Sequence, residues 1–237
     1  MDRVKIVIVG YTTAGVAAAS FAKVYNRRAE VLVFEKRRYP IYHPCSIVDV
    51  LLGFVPSWDA IVESPPKMPG LEVRTSTEVE EVDLDSKRVV ARDLETGREV
   101  EVEYDRLVLA TGSRPFVPRS IEIEDPDRVY TVKTLEDGMA IDRESKRAKR
   151  VVVVGGASIG IEMAYAMRKR GLEVVVVEYF DHLMPGRIEP KIAESIEREL
   201  ERMGIRVVLG QGVEAVSYTH LRAHETEADL VCRLLLE

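Results

Sequence analysis

Several protein classes are excluded by what this 237-residue sequence lacks. Its two cysteines, Cys45 and Cys232, are too few for a disulfide framework, which favours a reducing, cytoplasmic setting. Lys and Arg number 34 against 40 Asp and Glu, so the chain has no excess of the positive charge that binds nucleic acid. No apolar run approaches the roughly 18 residues of a membrane-spanning helix. With 46% hydrophobic residues, the chain can still form a globular core.

The N-terminal region has the pattern of a unit that binds a dinucleotide. A β-branched run at 4–9 is followed by a glycine-rich turn, a helix of small residues and a second strand that ends at Glu35. Gly10 and Gly15 hold the outer positions of the pattern G-x-G-x-x-G, and Thr12 replaces its middle glycine. Glu35 lies 25 residues after Gly10, a spacing typical of such units.

A second unit of the same design begins at the valine run 151–154. Gly155 and Gly160 hold the outer positions of its turn, with Ala157 in the middle, and the next strand ends at Glu178. The strands of these units are continuously apolar. That pattern predicts a parallel sheet covered on both faces.

The glycine-rich turns indicate a definite chemistry. Glycines let backbone N–H groups and a helix N-terminus approach a pyrophosphate, and the acidic residue accepts hydrogen bonds from a ribose diol. Either turn by itself could be an ordinary tight connection between a strand and a helix. Two turns in one chain, each followed by a strand-end glutamate, favour two dinucleotide sites. We interpret one as the site of a bound redox cofactor and the other as the site of a diffusible one.

The rest of the chain supplies the connecting structure. Three runs between the units, 78–83, 88–92 and 98–103, alternate apolar and charged residues and predict an antiparallel meander. Beyond the second unit, apolar residues recur at helical spacing over 189–203 and predict an amphipathic helix. A further parallel strand is expected at 205–209.

The order of these parts resembles the FAD-dependent pyridine nucleotide–disulfide oxidoreductases. Between the meander and the second unit, the stretch Ala-Thr-Gly-Ser-Arg-Pro at 110–115 is similar to that family's second flavin-contacting motif, A-T-G-x-x-P. The resemblance covers residue 1 to about residue 216. It implies an α/β fold of two Rossmann-like dinucleotide-binding units (three-layer, with a parallel sheet), and an antiparallel β-meander inserted in the first.

The resemblance also implies a division of the chain. We expect an FAD-binding domain at 1–118, a connector at 119–149 and an NAD(P)H-binding domain at 150–216. Members of the family are roughly twice this long, so both domains are expected to be truncated, and the full-length protein is expected to form a homodimer. Residues 217–237 continue neither unit and are interpreted as a non-native tail. The alternative for this tail is a metal site at His220 and His224, which are four residues apart.

Cys45 distinguishes the branches of the family. Dithiol members carry C-x-x-x-x-C, but position 50 is Val50, which excludes that arrangement. A lone cysteine about ten residues past Glu35 resembles the single-cysteine branch of coenzyme A–disulfide reductases and NADH oxidases. This resemblance implies that electrons pass from NADH via the flavin to Cys45 and then to a disulfide such as coenzyme A disulfide. The alternative is a buried packing thiol, the usual state of a free cysteine.

The resemblance assigns residues to each cofactor. Those expected at FAD are Gly10, Thr12, Thr13, Ala14, Gly15, Glu35, Lys36, Thr111 and Gly112. Those expected at NADH are Gly155, Gly156, Ile159, Gly160 and Glu178. The basic run 36–38 is most simply a solvated turn, and the adenosine phosphate of the flavin is its alternative partner. No metal is expected at these sites.

The sequence leaves the electron acceptor open. Glu178 favours NADH over NADPH, because its carboxylate accepts from a 2′-hydroxyl and repels a 2′-phosphate. The acceptor is expected to be a small-molecule disulfide, oxygen or peroxide, although Thr13 stands where peroxidase-type members carry a histidine. The alternatives are an NADH oxidase, a ferredoxin-type reductase in which Cys45 has no role, and an inactive nucleotide-binding fragment.

Overall fold

The computed structural model describes residues 3–213, 215–216, 221–222 and 233–236. The strands, in chain order, are β1 (Lys5–Val9), β2 (Glu30–Phe34), β3 (Ile41–Tyr42), β4 (Val62–Glu63), β5 (Leu71–Arg74), β6 (Thr77–Asp83), β7 (Arg88–Asp93), β8 (Glu99–Glu103), β9 (Arg106–Leu109), β10 (Glu122–Ile123), β11 (Val129–Thr131), β12 (Arg150–Val154), β13 (Glu173–Val177), β14 (Ile205–Val208), β15 (Ala215–Val216), β16 (Leu221–Arg222) and β17 (Arg233–Leu236). The α-helices are α1 (Thr13–Tyr25), α2 (Ile47–Leu52), α3 (Leu135–Ser145), α4 (Ser158–Lys169) and α5 (Pro190–Arg202). Contacts divide the chain into a first unit, Met1–His43 with Asp59–Ser113, and a second unit, Pro44–Trp58 with Arg114–Glu237.

The first unit is built on a parallel sheet with the strand order β5-β2-β1-β9. Side chains alternate across this sheet because successive residues of a strand point to opposite faces. Val7 packs with Val89 of the meander, whereas Ile8 packs with Ala19 of α1. The sheet is therefore the middle of three layers, and the carboxyl ends of β1, β2 and β9 lie at the same edge.

The predicted meander is present as an antiparallel sheet of β6, β7 and β8. Its strand bounds differ by only one residue at an end from those expected at 78–83, 88–92 and 98–103. Val89 and Ala91 of its central strand are fully buried, which explains why charged residues alternate with apolar ones in this region.

The second unit contains a sheet with the strand order β11-β17-β12-β13-β14. β12, β13 and β14 are parallel, and β17 lies antiparallel between β11 and β12. The predicted helix at 189–203 is α5, and the predicted strand at 205–209 is β14. Parallel sheets flanked by helices in each unit confirm the predicted α/β fold class.

The segment 44–58, which carries Cys45, packs within the second unit. Its helix α2 contacts α3 and α4. Gly138 of α3 lies so close to the Trp58 ring and to Ile47 that a side chain there would overlap both. Arg170, which ends α4, donates to the carbonyl oxygen of Leu51 at 3.1 Å. The boundaries expected from the sequence, which keep this segment in a domain at 1–118, stay a prediction.

Asp142 links α3 to the end of α4 and gives a pH-dependent prediction. Its carboxylate accepts hydrogen bonds from Arg170 at 2.5 Å and Lys146 at 2.9 Å. Partial burial alone would raise the pKa of Asp142, but these two hydrogen bonds outweigh it and hold the pKa below its ordinary value. A lowered pKa stabilises the fold above the unfolded value, and the contribution is lost as pH falls through the folded value.

We therefore expect Asp142→Asn to reduce the free energy of unfolding by about 1–2 kcal/mol at neutral pH. The difference from the wild type should start to shrink as pH falls below about 4 and should vanish below the lowered pKa of folded Asp142, where the wild type also lacks the charge. Urea unfolding at several pH values measures it, with the exposed Asp59→Asn as the control. A difference that stays constant down to strongly acidic pH would show that the ion pair is not its source.

Several expectations concern residues only partly covered by the structure. His220, His224 and Cys232 lie outside the described residues, and of 217–237 only β16 and β17 are described, so the interpretation of a non-native tail stays a prediction. Within the described residues, no group of three or more His, Cys, Asp or Glu side chains is placed to hold a metal ion. No helix in the described part of the chain is long and apolar enough to cross a membrane.

Candidate functional site

The first glycine-rich turn connects β1 to α1 at the carboxyl edge of the sheet. Gly10 has φ of +94°, and its N–H donates to the carbonyl oxygen of Phe34 at 2.8 Å. A Cβ atom on Gly15 would collide with the carbonyl oxygen of Gly10. The missing side chain at Gly15 thus lets the first turn of α1 lie directly against the end of β1.

The stretch after β9 approaches the same turn. A Cβ atom on Gly10 would collide with the carbonyl oxygen of Ala110 and lie 3.4 Å from the Cα of Thr111. Thr111 and Gly112 are exposed, and Gly112 has φ of +72°. The structure therefore brings together two parts of the predicted flavin site that are about 100 residues apart in the sequence.

Glu35 closes the first turn from the end of β2. Its side chain is only 3% exposed, and Oε2 accepts the backbone N–H of Tyr11 at 2.8 Å. The same carboxylate accepts three hydrogen bonds from Arg37: from its backbone N–H at 2.9 Å, from Nε at 2.8 Å and from Nη2 at 2.5 Å. Burial lowers the pKa of Arg37, but hydrogen bonding to Glu35 and its charge raise it above the ordinary value overall.

Arg37 corrects the expectation of a solvated turn at 36–38. Its side chain is half-buried, and its guanidinium carbon lies 4.8 Å from the centre of the Tyr42 ring. Lys36 and Arg38 are exposed, as a solvated turn requires. Lys36 pairs with Glu78 of the meander at 3.2 Å.

The second turn repeats the first almost bond for bond. Gly155 has φ of +101°, and its N–H donates to the carbonyl oxygen of Val177 at 2.8 Å. A Cβ atom on Gly160 would collide with the carbonyl oxygen of Gly155. Glu178, at the end of β13, accepts the backbone N–H of Gly156 at 2.6 Å, just as Glu35 accepts that of Tyr11.

The loop after Glu178 packs back onto this turn. The backbone N–H of Met184 donates to the carbonyl oxygen of Gly156 at 3.0 Å, and Leu183 is fully buried. A side chain on Gly156 would overlap Leu183. The sequence does not predict this contact. Its only signal there is the second glycine after β12, Gly156.

The helices that follow the two turns begin with open N-termini. Neither Thr12 before α1 nor Ala157 before α4 makes a side-chain capping bond, and neither helix has an acidic residue in its first turn. Thr13, Ala14 and Ile159 are exposed at these ends. The first N–H groups of a helix have no partner within it, and together with the helix dipole they attract an anion.

These features fit a dinucleotide at each turn. Each unit has a turn whose glycines let backbone pack against backbone, an uncapped helix start with no acidic residue in its first turn, and a buried carboxylate beside it. A pyrophosphate suits the N–H groups, and a ribose diol suits a carboxylate. The hydroxyl of Tyr11 is buried without a partner among the described residues, and that burial raises its pKa.

Cys45 is exposed, so the alternative of a buried packing thiol is wrong. It lies in a short 3₁₀ helix, Pro44–Ser46, directly before α2. Two residues earlier in the first unit, His43 pairs with Glu63 at 2.8 Å. The redox role expected for Cys45 is not tested by this placement and stays a prediction.

Known proteins are similar to this chain in sequence. The sequence profile described as "Pyridine nucleotide-disulphide oxidoreductase" matches residues 4–234. An NADH oxidase of Methanocaldococcus jannaschii is 38% identical over 218 residues, which cover 90% of this chain and 48% of that protein. A CoA-dependent NAD(P)H sulfur oxidoreductase of Pyrococcus abyssi is 33% identical, over 95% of this chain and 52% of that protein. The chain spans about half the length of these relatives.

Solved structures share the fold. A water-forming NADH oxidase from Lactobacillus brevis, bound to NADH, superimposes with a TM-score of 0.85 and 31% identity, over 93% of this chain and 50% of that chain. An NAD-dependent persulfide reductase from A. fulgidus gives a TM-score of 0.84 and 30% identity, over 92% of this chain and 42% of that chain.

Proposed function

Because this chain belongs to the pyridine nucleotide-disulphide oxidoreductase family, we propose that it forms the dinucleotide-binding part of a flavin-dependent NAD(P)H oxidoreductase. In this proposal the first unit binds FAD and the second binds NADH. Electrons from NADH reach Cys45 and then a small disulfide such as coenzyme A disulfide. A cytoplasmic location and a homodimeric full-length protein are part of the same proposal.

One observation carries this proposal: the two turns use the same bonds. In each unit a backbone N–H of the turn donates to the strand-end glutamate, and a glycine of the helix lies against the carbonyl oxygen of the first turn glycine. An ordinary tight turn does not need a buried carboxylate. Burial of a carboxylate is energetically unfavourable, so its repetition in both units supports two sites for the same class of ligand.

The residues of the first unit would hold FAD at defined points. Gly10 and Gly15 let the turn and the start of α1 pack closely, and the N–H groups at Thr13 and Ala14 would neutralise the charge of the pyrophosphate. Thr111 and Gly112, which lie against the turn, would border the same cofactor. When bound, FAD supplies hydride acceptance and electron transfer, chemistry that no side chain of this chain provides.

The residues of the second unit would hold NADH. Gly156 and Gly160 let the turn pack closely, and Gly155 takes the positive φ that the turn needs. The NADH pyrophosphate would lie at the start of α4, where Ile159 is exposed. Glu178 would accept hydrogen bonds from the adenosine ribose. Its buried carboxylate would favour NADH over NADPH. It adds one negative charge to the site, and among the described residues it accepts hydrogen bonds from backbone N–H groups and from no cationic side chain.

Cys45 would be the last carrier on the protein. As a mixed disulfide with coenzyme A, it would take up two electrons and one proton, and the S–S bond would break to give a Cys45 thiolate and free coenzyme A thiol. Its exposure supports this role, because a carrier must be reached by the acceptor. The name of the Pyrococcus abyssi relative supports a coenzyme A-linked sulfur compound as the acceptor.

Oxygen is the second candidate acceptor. It is favoured by the name of the Lactobacillus brevis protein, a water-forming NADH oxidase with a similar fold. In that case the described fold and both dinucleotide sites keep their roles, and only the acceptor differs.

Ligand stoichiometry tests the proposed function. Equilibrium dialysis of the full-length protein that contains this chain should find one FAD and one NADH per chain, without competition between them. Anaerobic addition of NADH to the FAD-loaded protein should then bleach the flavin absorbance. Binding of only one dinucleotide per chain, or mutual displacement of FAD and NADH, would contradict the assignment of two separate sites.

A change at Glu178 should alter the preference for NADH. We expect Glu178→Ser combined with Tyr179→Arg to weaken NADH binding and strengthen NADPH binding, shifting the ratio of dissociation constants by about 100-fold. The physical reason is the exchange of a carboxylate for a cation beside the 2′ position. Titration with each nucleotide measures the ratio, and Glu173→Ser, at the other end of β13, is the control. Equal affinity of the wild type for the two nucleotides would disprove this role of Glu178.

A further inference from the structure

The two strand-end glutamates occupy equivalent places but differ in how many hydrogen bonds they accept. A carboxylate offers about four lone-pair positions. Glu35 fills four: one with the N–H of Tyr11 and three with the backbone N–H, Nε and Nη2 of Arg37. Glu35 therefore has no acceptor position left for a ribose hydroxyl.

Among the described residues, Glu178 accepts hydrogen bonds at only two of its acceptor positions. Its Oε2 accepts the N–H of Gly156 at 2.6 Å, and its Oε1 accepts the N–H of Phe180 at 3.0 Å. The remaining two positions are the number that a ribose diol needs. Phe180 follows Glu178 by two residues, as Arg37 follows Glu35, and its N–H donates to the same oxygen. The difference between the two carboxylates thus comes from one side chain.

We propose that Arg37 is an internal competitor for the ribose of the first dinucleotide. Its guanidinium occupies the two acceptor positions of Glu35 that the diol requires, so the cofactor binds fully only when Arg37 leaves Glu35. This inference rests on the proposed function, because it concerns the ribose contact of the flavin site. It distinguishes the first site, which must exchange a partner, from the second, which is open.

The surroundings of Arg37 suit such an exchange. The Glu35 carboxylate is almost completely buried, and a buried charge without a partner is strongly unfavourable. Arg37 therefore neutralises Glu35 while the site is empty. The rings of Tyr42 and Tyr39, 4.8 and 5.7 Å from its guanidinium, offer Arg37 a cation–π contact that does not depend on Glu35.

Removal of the competitor should tighten FAD binding. When only a fraction of the molecules is in the binding-competent state, the apparent dissociation constant rises by the inverse of that fraction. We therefore expect Arg37→Met, which frees Glu35 in every molecule, to lower the dissociation constant for FAD about tenfold. Fluorescence titration of the full-length protein that contains this chain with FAD measures it. Arg38→Met is the matched control, since it removes the same charge from an exposed neighbour, and its FAD affinity should stay near that of the wild type.

Two further variants keep the test valid if Arg37→Met folds poorly. Arg37→Gln retains an amide donor for Glu35 and should give a smaller gain in the same direction. Phe180→Arg places a guanidinium at the equivalent position of the second unit and should weaken NADH binding about tenfold. Thermal unfolding of each variant shows whether it remains folded.

The outcomes separate this inference from the proposed function. Weaker FAD binding by Arg37→Met and Arg37→Gln would mean that Arg37 holds the cofactor, and unchanged binding would mean that it does not compete; each result overturns the inference alone. Failure of the wild type and of every variant to bind FAD would overturn the proposed function and the inference with it.

Discussion

A single methyl group added at Gly15 should strongly weaken FAD binding while NADH binding persists. The new Cβ atom would collide with the carbonyl oxygen of Gly10, which is backbone and cannot turn aside. The start of α1 would have to move away from the turn, and with it the N–H groups that face the pyrophosphate. We expect Gly15→Ala to raise the dissociation constant for FAD about 100-fold, equivalent to about 3 kcal/mol.

Gly160→Ala is the reciprocal variant and the control. Its Cβ atom would collide with the carbonyl oxygen of Gly155, so it should weaken NADH binding and spare FAD. Titration of each variant with FAD and with NADH gives four dissociation constants, and a melting curve of each variant confirms that it is folded. If Gly15→Ala weakened the binding of NADH as much as that of FAD, or changed neither, the assignment of one cofactor to each turn would fail.

Replacement of Cys45 by serine should remove turnover with coenzyme A disulfide, with a loss of at least about 1,000-fold. A serine hydroxyl cannot form a mixed disulfide or carry electrons, whereas the two dinucleotide sites stay intact. The experiment needs the full-length protein that contains this chain. Reductive titration with NADH should consume two electrons fewer per subunit in Cys45→Ser than in a wild-type protein that carries a capped cysteine.

The same variant decides between the acceptors. Mass spectrometry of the resting wild type identifies the group on Cys45. Retention of wild-type turnover and of the wild-type electron count in Cys45→Ser would show that Cys45 is a bystander. In that case oxygen, or a partner protein, is the better candidate acceptor.

Much of this fold could be predicted from local pattern. The valine-rich strands, the alternation at 78–103 and the amphipathic helix α5 each have one strong period, and the structure has each element within one residue or two. The two turns can be predicted from the sequence because only glycine fits at positions such as Gly15 and Gly160, where a Cβ atom would meet backbone. Signals of this kind are local in sequence, so no knowledge of tertiary contacts is needed.

What the sequence did not predict depends on contacts between distant residues. The basic run 36–38 is uniform in composition, yet Arg37 alone turns inward, because only it reaches the buried carboxylate of Glu35. A motif does not show how many hydrogen bonds the carboxylate accepts in the folded protein. Similarly, α2 is too short to have a clear period, and its packing against α3 depends on Gly138, 80 residues after Trp58.

The placement of segment 44–58 in the second unit has a consequence for how the protein is made. As the chain leaves the ribosome, α2 has no packing partner until α3 and α4 have been synthesised, roughly a hundred residues later. Contacts of such long sequence separation slow folding, because the intervening loop must close first. Until then Ile47, Leu51 and Trp58 expose apolar surface to chaperones and to other nascent chains. A chain cut at residue 118, the end expected for the FAD-binding domain, would separate α2 from these partners permanently.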